Sequence, residues 1–140
     1  MLTIGDQFPR FQLRACADLP FDELTMDTAF MDMTEETYGA KWKIYLFYPK
    51  DFTFVCPTEL VAFGKMRDKF FARNAQIIGC STDNEYVHWA WRGQHPLLRN
   101  LPFPLLADIP RRLSRALAIL DDESGVCMRA LYIVDEKNVI

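Results

Sequence analysis

The sequence predicts an α/β fold, a central sheet flanked by helices, on three observations. Ile44-Tyr45-Leu46-Phe47-Tyr48 is a continuous apolar run of strand length, the pattern of a strand buried on both faces. Gln76-Ile77-Ile78-Gly79-Cys80-Ser81 reads as a second buried strand. Between them, Leu60, Phe63, Met66, Phe70 and Phe71 recur at helical spacing, with Lys65, Arg67, Asp68 and Lys69 supplying most of the wet face. A helix separating two strands makes them parallel neighbours.

Bulk properties narrow the class. The 140 residues are 50% hydrophobic and 14% aromatic, enough apolar surface for the core of one globular domain over 1–140. A net charge of −3 gives no reason to expect nucleic acid or an anionic membrane as partner. Residues 1–40 carry eight acids against two bases and residues 41–140 eleven against fourteen, so the second part is mildly positive. No apolar run is long enough to span a bilayer, and the N-terminus lacks the basic and apolar regions of a leader, so a cytoplasmic location is expected. The cysteines at 16, 56, 80 and 127 form no Cys-x-x-Cys pair, and there are only two histidines, His88 and His95. Neither a zinc site nor a thioredoxin-type redox pair is encoded, and no cofactor is expected.

Taken in order, Phe8, Phe11 and Leu13, punctuated by Pro9, predict a short edge strand with Cys16 at its end. Residues 18–38 are acidic and show no clean period, which predicts an irregular excursion with at most a short strand or turn. After the second buried strand, Thr82-x-x-Glu85 matches a capping box. It opens a helix carrying Tyr86, Val87, Trp89, Ala90 and Trp91 and ending near Pro96. These aromatics read first as packing, with Trp91 or Tyr45 as candidates to border a reactive sulfur. Residues 102–107 predict a short strand with proline at its start. Asp108 then caps a helix in which Leu113, Ala116, Leu117 and Leu120 form the apolar stripe, leaving Arg111, Arg112 and Arg115 on a solvated face. An acidic turn at 121–125 leads to a strand over 128–134, and a turn at 135–138 sets Val139-Ile140 up as the return arm of a hairpin.

The chemistry concentrates between the first strand and the first helix, in Tyr48-Pro49-Lys50-Asp51-Phe52-Thr53-Phe54-Val55-Cys56-Pro57-Thr58-Glu59. Cys56 falls at the cap or in the first turn of the helix. Pro57 loses nothing there by lacking an N–H, and Glu59 sits in the turn that favours acids. Free amide hydrogens and the positive end of the helix dipole favour a thiolate, the nucleophilic form. Free cysteine is often a small buried hydrophobe, but three features argue for reactivity here. Thr53 can point its hydroxyl at the same pocket, Pro49 can shield the sulfur, and Cys56-Pro57 is a helix-start dipeptide.

Pro49-x-x-x-Thr53-x-x-Cys56 resembles the active-site signature of the peroxiredoxins, and the run from Phe47 to Glu59 is similar to the typical two-cysteine, alkyl hydroperoxide reductase C type. The resemblance runs from Gly5-Asp6-Gln7-Phe8-Pro9 to Tyr132-Ile133-Val134-Asp135. It implies a thioredoxin-like fold and a thiol peroxidase in which Cys56 attacks peroxide and becomes a sulfenic acid. It gives Thr53 and the backbone amides near Val55 and Cys56 as donors to the leaving oxygen, Arg129 as the guanidinium beside the sulfur, and Glu59 as the carboxylate orienting it. Its implied partners are a peroxide, a dithiol reductant protein, and further copies of the chain in a homodimer or ring.

The resemblance also implies a further hairpin arm, a helix and a tail with a resolving cysteine after Ile140. The domain over 1–140 is therefore expected to be C-terminally incomplete, with exposed apolar surface and marginal stability. Cys16, Cys80 and Cys127 are expected to pack structurally. Two other function classes stay open at this point, an oligomeric holdase-type binding protein and a remnant with the motif but no turnover.

Overall fold

A computed structural model describes all of residues 1–140. Six strands and four helices alternate as β1 (Gln12–Cys16), β2 (Phe30–Thr34), β3 (Trp42–Phe47), α1 (Cys56–Lys65), α2 (Arg67–Ala72), β4 (Ala75–Ser81), α3 (Glu85–Gln94), β5 (Leu105–Ala107), α4 (Arg112–Ala116) and β6 (Ala130–Val134). All six strands form one sheet in the order β2-β1-β5-β4-β3-β6. The expected parallel core is present. β3 pairs with β4 in the register Ile44↔Ile77 and Phe47↔Cys80, and β4 pairs in parallel with β5. β1, β2 and β6 join antiparallel, which makes the sheet mixed.

The alternation of β3 explains its unbroken apolar run. Ile44, Leu46 and Tyr48 face a cluster that contains Cys56, Leu60, Ile77 and Trp91. Tyr45 and Phe47 face the opposite cluster, with Phe8, Phe11, Ile78, Cys80 and Leu113. Both sides of the strand are therefore inside, and each large apolar side chain so buried contributes about 1.5–3 kcal/mol. The pleat also settles which aromatic accompanies the sulfur. Trp91 shares the cluster of Cys56, whereas Tyr45 stacks on Phe8 at 4.3 Å beyond the sheet.

Several local expectations are corrected by long-range pairing. The first strand starts at Gln12 and is internal, between β2 and β5; Phe8 and Phe11 lie before it as core plugs. The edge is β2, inside the stretch read as irregular. It buries only Met33 fully, so its period is faint. The helix after Cys56 breaks at Met66 (φ −95°, ψ 1°), which leaves Met66 and Phe71 exposed rather than on a continuous stripe. Lys41 and Arg67 cover the Phe71 ring, at 4.4 and 4.6 Å from its centroid.

The cap of α3 is Asn84, whose Oδ1 accepts from Val87 N at 2.8 Å, in place of the Thr82 box. Asp108 does receive the start of α4, accepting from Ser114 N at 2.8 Å and Ser114 Oγ at 2.7 Å. That helix stops at Ala116, because Ala118 turns left-handed with φ 58°. Arg112 and Arg115 are exposed, but Arg111 is tied down, donating from Nε to Gly125 O at 2.6 Å. The last strand begins at Ala130; after the turn Asp135 N donates to Val139 O at 2.9 Å, the start of the expected return, and Val139 also bridges to Gln7.

Cys16, Cys80 and Cys127 are all fully buried, as expected of packing thiols. Burial pushes the Cys16 thiol up to about 11 and the Cys127 thiol up to about 12, and raises Cys80 well above its ordinary value. Unfolding releases these thiols to titrate near 9. Their contribution is intact below pH 9 and is lost progressively as pH rises from there toward the folded values. By pH 10, Cys16 and Cys127 together should withdraw about 3 kcal/mol, roughly 1.4 kcal/mol each. Denaturant titrations at pH 8 and pH 10 should show that loss in the wild-type chain and a flatter dependence in a Cys16→Ala/Cys127→Ala double variant. Equal slopes with pH in the two proteins would contradict it.

Candidate active site

The site is assembled where β3 leaves the sheet. Tyr48 continues the strand by one residue, its N–H donating to Cys80 O at 3.0 Å and its carbonyl accepting the Cys127 S–H at 3.0 Å. Pro49, half-buried, then begins a loop to Val55, and Cys56 is the first residue of α1. No side chain caps this helix; Pro57 has no N–H and Thr58 N donates to Val55 O at 3.2 Å, which leaves the amide of Cys56 as the unbonded one at its start. Cys56 is only 1% exposed.

The strand register brings the guanidinium to the sulfur. Ala130 of β6 sits opposite Phe47 of β3, so Arg129, one residue earlier, lies beside the end of β3 where α1 begins. Its Nη2 is 3.4 Å from Cys56 Sγ, and its Nε donates to Glu59 Oε1 at 2.8 Å. Cys56 and Glu59 are three apart on α1 and so share a face. The bond to Glu59, with the nearby Cys56 sulfur, holds the Arg129 charge more firmly than usual. Arg129 is 46% and Glu59 31% exposed at the side chain. An ion pair this wet adds at most about 1 kcal/mol to stability, so its effect is orientation of the guanidinium.

Among the residues expected to act, Arg129 contacts both Cys56 and Glu59. Pro49 and Thr53 occupy the adjoining loop without a hydrogen bond to the sulfur. The Thr53 hydroxyl donates to Lys50 O at 3.3 Å, closing a turn inside that loop. Thr53 also lines an open cavity of ≈ 320 Å³ with Phe52, Phe54, Pro57, Trp91 and His95. Cys56 is not among its walls, so the cavity lies beside the sulfur rather than over it.

The sequence reading missed a polar group under the loop. Asp51 and His88 are buried with their side chains in contact, and the Tyr48 hydroxyl joins them. A signal was available: His88 and Trp91 are three apart, so a histidine on the apolar face of α3 needs a polar partner inside. Nothing in the spacing names Asp51 as that partner.

A buried cysteine at a helix start with a guanidinium beside it suits a thiolate nucleophile. Residues 4–140 match the model of the AhpC/TSA family, and the chain belongs to that family. It is 48% identical to the alkyl hydroperoxide reductase C of Mycolicibacterium smegmatis over 143 residues, covering 100% of this chain and 73% of that one. It is 38% identical to a thioredoxin peroxidase of Echinococcus granulosus, covering 99% and 68% of the two chains. Among solved structures it matches Mycobacterium tuberculosis AhpC with a TM-score of 0.94 at 46% identity, over 100% of this chain and 80% of that one. Enterococcus faecalis AhpC matches with a TM-score of 0.88 at 32% identity, over 100% and 78%.

If the fork serves the sulfur, Arg129→Ala should slow sulfenic acid formation by about 100-fold or more, the usual effect of deleting one aimed donor. Glu59→Gln, which leaves the guanidinium in place but poorly oriented, should cost about tenfold. Melting temperatures should stay within a few degrees, since the pair is exposed. Stopped-flow mixing with peroxide measures both rates, and an Arg129→Ala rate equal to wild type would remove the guanidinium from the reaction.

Proposed function

We propose that this chain reduces hydrogen peroxide and organic hydroperoxides through Cys56. The thiolate attacks one peroxide oxygen and forms an S–O bond as the O–O bond breaks. The products are a Cys56 sulfenic acid and an alkoxide or hydroxide, which leaves as alcohol or water after taking up a proton. Sulfur is oxidised by two electrons and the peroxide is reduced by the same two. The observation that carries this reading is the Arg129 Nη2 to Cys56 Sγ contact of 3.4 Å at the start of α1.

In this reading Arg129 stabilises the thiolate and the charge growing on the leaving oxygen, and Glu59 fixes its angle. Thr53 and the amides near Val55 and Cys56 are the further donors, and Pro49 limits access of water. The three other cysteines are buried, and Cys16 and Cys127, pushed up to about 11 and about 12, stay protonated at neutral pH. That argues against any of these three as the resolving thiol and favours a thiol from outside residues 1–140, with a dithiol reductant protein to complete the cycle. Because Cys56 is buried, the first turn of α1 has to open before such a thiol can reach it.

The same reading gives the chain a homodimer or a larger ring. Four unpaired thiols fit a reducing compartment, which supports a cytoplasmic location. No helix is long and apolar enough to cross a membrane.

A turnover assay tests the proposal. Wild-type protein with excess dithiothreitol should consume hydrogen peroxide and an organic hydroperoxide continuously, and Cys56→Ser should show only the background of the small thiol. Activity that survives Cys56→Ser, or a wild-type rate no higher than that background, would sink it.

A further inference from the structure

The loop before Cys56 is held from below by a buried carboxylate. Of residues 49–55, Asp51 alone is buried; Phe52, Phe54 and Val55 are exposed, and Phe54 is 98% so. Asp51 is gripped at three points. Its backbone N–H donates to Asp83 Oδ2 at 2.8 Å, its Oδ1 accepts from the Tyr48 hydroxyl at 2.6 Å, and its Oδ2 lies 2.6 Å from His88 Nδ1. The side chains of Asp51 and His88 have no exposure to solvent.

Hydrogen-bond chemistry fixes the protons. His88 Nε2 is 3.1 Å from Leu106 O, a carbonyl that can only accept, so Nε2 carries a hydrogen. The short Nδ1 to Oδ2 contact then needs one proton between its two atoms. Whichever atom holds it, the pair is neutral as a unit, and removing either partner strands the other in the interior. An apolar anchor would hold a loop as firmly; three directional bonds also set its angle.

The consequence falls on the residue that follows. Phe52 adopts φ 60°, the left-handed region that a bulky side chain enters at a cost. Its ring lies 6.3 Å from that of Trp91, which is three residues from His88 on the same face of α3. One helix face thus clamps two successive loop residues, His88 on Asp51 and Trp91 beside Phe52. The bond from Thr53 Oγ1 to Lys50 O spans the clamped pair. Four residues separate Asp51 from Cys56, so the clamp sets where Thr53 and the amides ahead of the sulfur point.

We infer that Asp51 and His88 are positioning residues for the peroxide reaction, a buried proton-sharing pair through which α3 fixes the loop that presents Thr53 and the backbone donors to the peroxide. The inference rests on the peroxidase reading above. The pair touches no reacting atom and acts through the loop's geometry, so it should matter for a reaction that demands alignment and little for one that needs only an available sulfur.

The experiment compares two electrophiles on each protein, hydrogen peroxide and iodoacetamide, with the Cys56 adducts followed by stopped flow and peptide mass. Asp51→Ala should slow the peroxide reaction by about 100-fold, the scale expected of a small misplacement. Its alkylation of Cys56 should stay within about threefold of wild type, because alkylation tracks the thiolate. Asp51→Asn should restore most of the peroxide rate, since the amide can donate to a neutral His88 and still accept from Tyr48.

Tyr48→Phe, which deletes one of the three bonds without opening a large cavity, should give an intermediate loss of about tenfold and keeps the test decisive if Asp51→Ala does not fold. Folded variants that react with peroxide as fast as wild type, or that lose both reactions equally, would overturn the inference. A wild-type chain that reacts slowly with peroxide would instead overturn the peroxidase reading, so the two failures are distinct.

Discussion

Arg129 reaches Cys56 across 73 residues of sequence, and the site exists only because one strand register brings them together. The pairing of β6 with β3 places Ala130 against Phe47 and so delivers the guanidinium to the point where β3 hands over to α1. A slip of one residue would turn the β6 side chains to the other face and carry the guanidinium away. Glu59 then converts proximity into orientation, because a forked guanidinium bound at Nε leaves Nη2 aimed at the sulfur. The pair is too exposed to hold the fold together. The dependence runs the other way: the buried sheet holds the pair.

The four cysteines stand in two kinds of environment. Cys16 and Cys80 belong to strands and Cys127 lies beneath the end of β3, and in each case desolvation is the largest influence and keeps the thiol protonated. Cys56 is equally buried but stands at a helix start beside a guanidinium that itself has access to water. Burial alone would make it inert. In the proposed reading, burial with an aimed positive charge makes a dry site for a nucleophile at Cys56, while the other three thiols pack in the core.

How far the sequence could be read follows from the range of the interactions involved. β3, β4 and the start of α1 were legible because contiguous apolar runs and a helix-start dipeptide are local signals. The shared face of Cys56 and Glu59 follows from their spacing. Arg129 could be placed only through resemblance to a family, since no local pattern links it to Cys56.

What stayed hidden depended on partners elsewhere in the chain. β1 is internal only because β2 covers it, and Asn84 displaces Thr82 as cap only in the folded turn. The helix break at Met66 leaves Phe71 outside, under two cations, where a continuous stripe would have buried it. The Asp51–His88 contact joins a loop to a helix 37 residues away and leaves no periodic trace.

Which sulfur peroxide oxidises first decides whether Cys56 is the reactive thiol. Reduced protein mixed with a sub-stoichiometric pulse of hydrogen peroxide, trapped with a dione probe and digested for peptide mass, reads that out in one experiment. Sulfenic acid should form at Cys56 alone, orders of magnitude faster than on a free thiol. Label spread over Cys16, Cys80 and Cys127, or a Cys56 no faster than an unstructured cysteine, would contradict it.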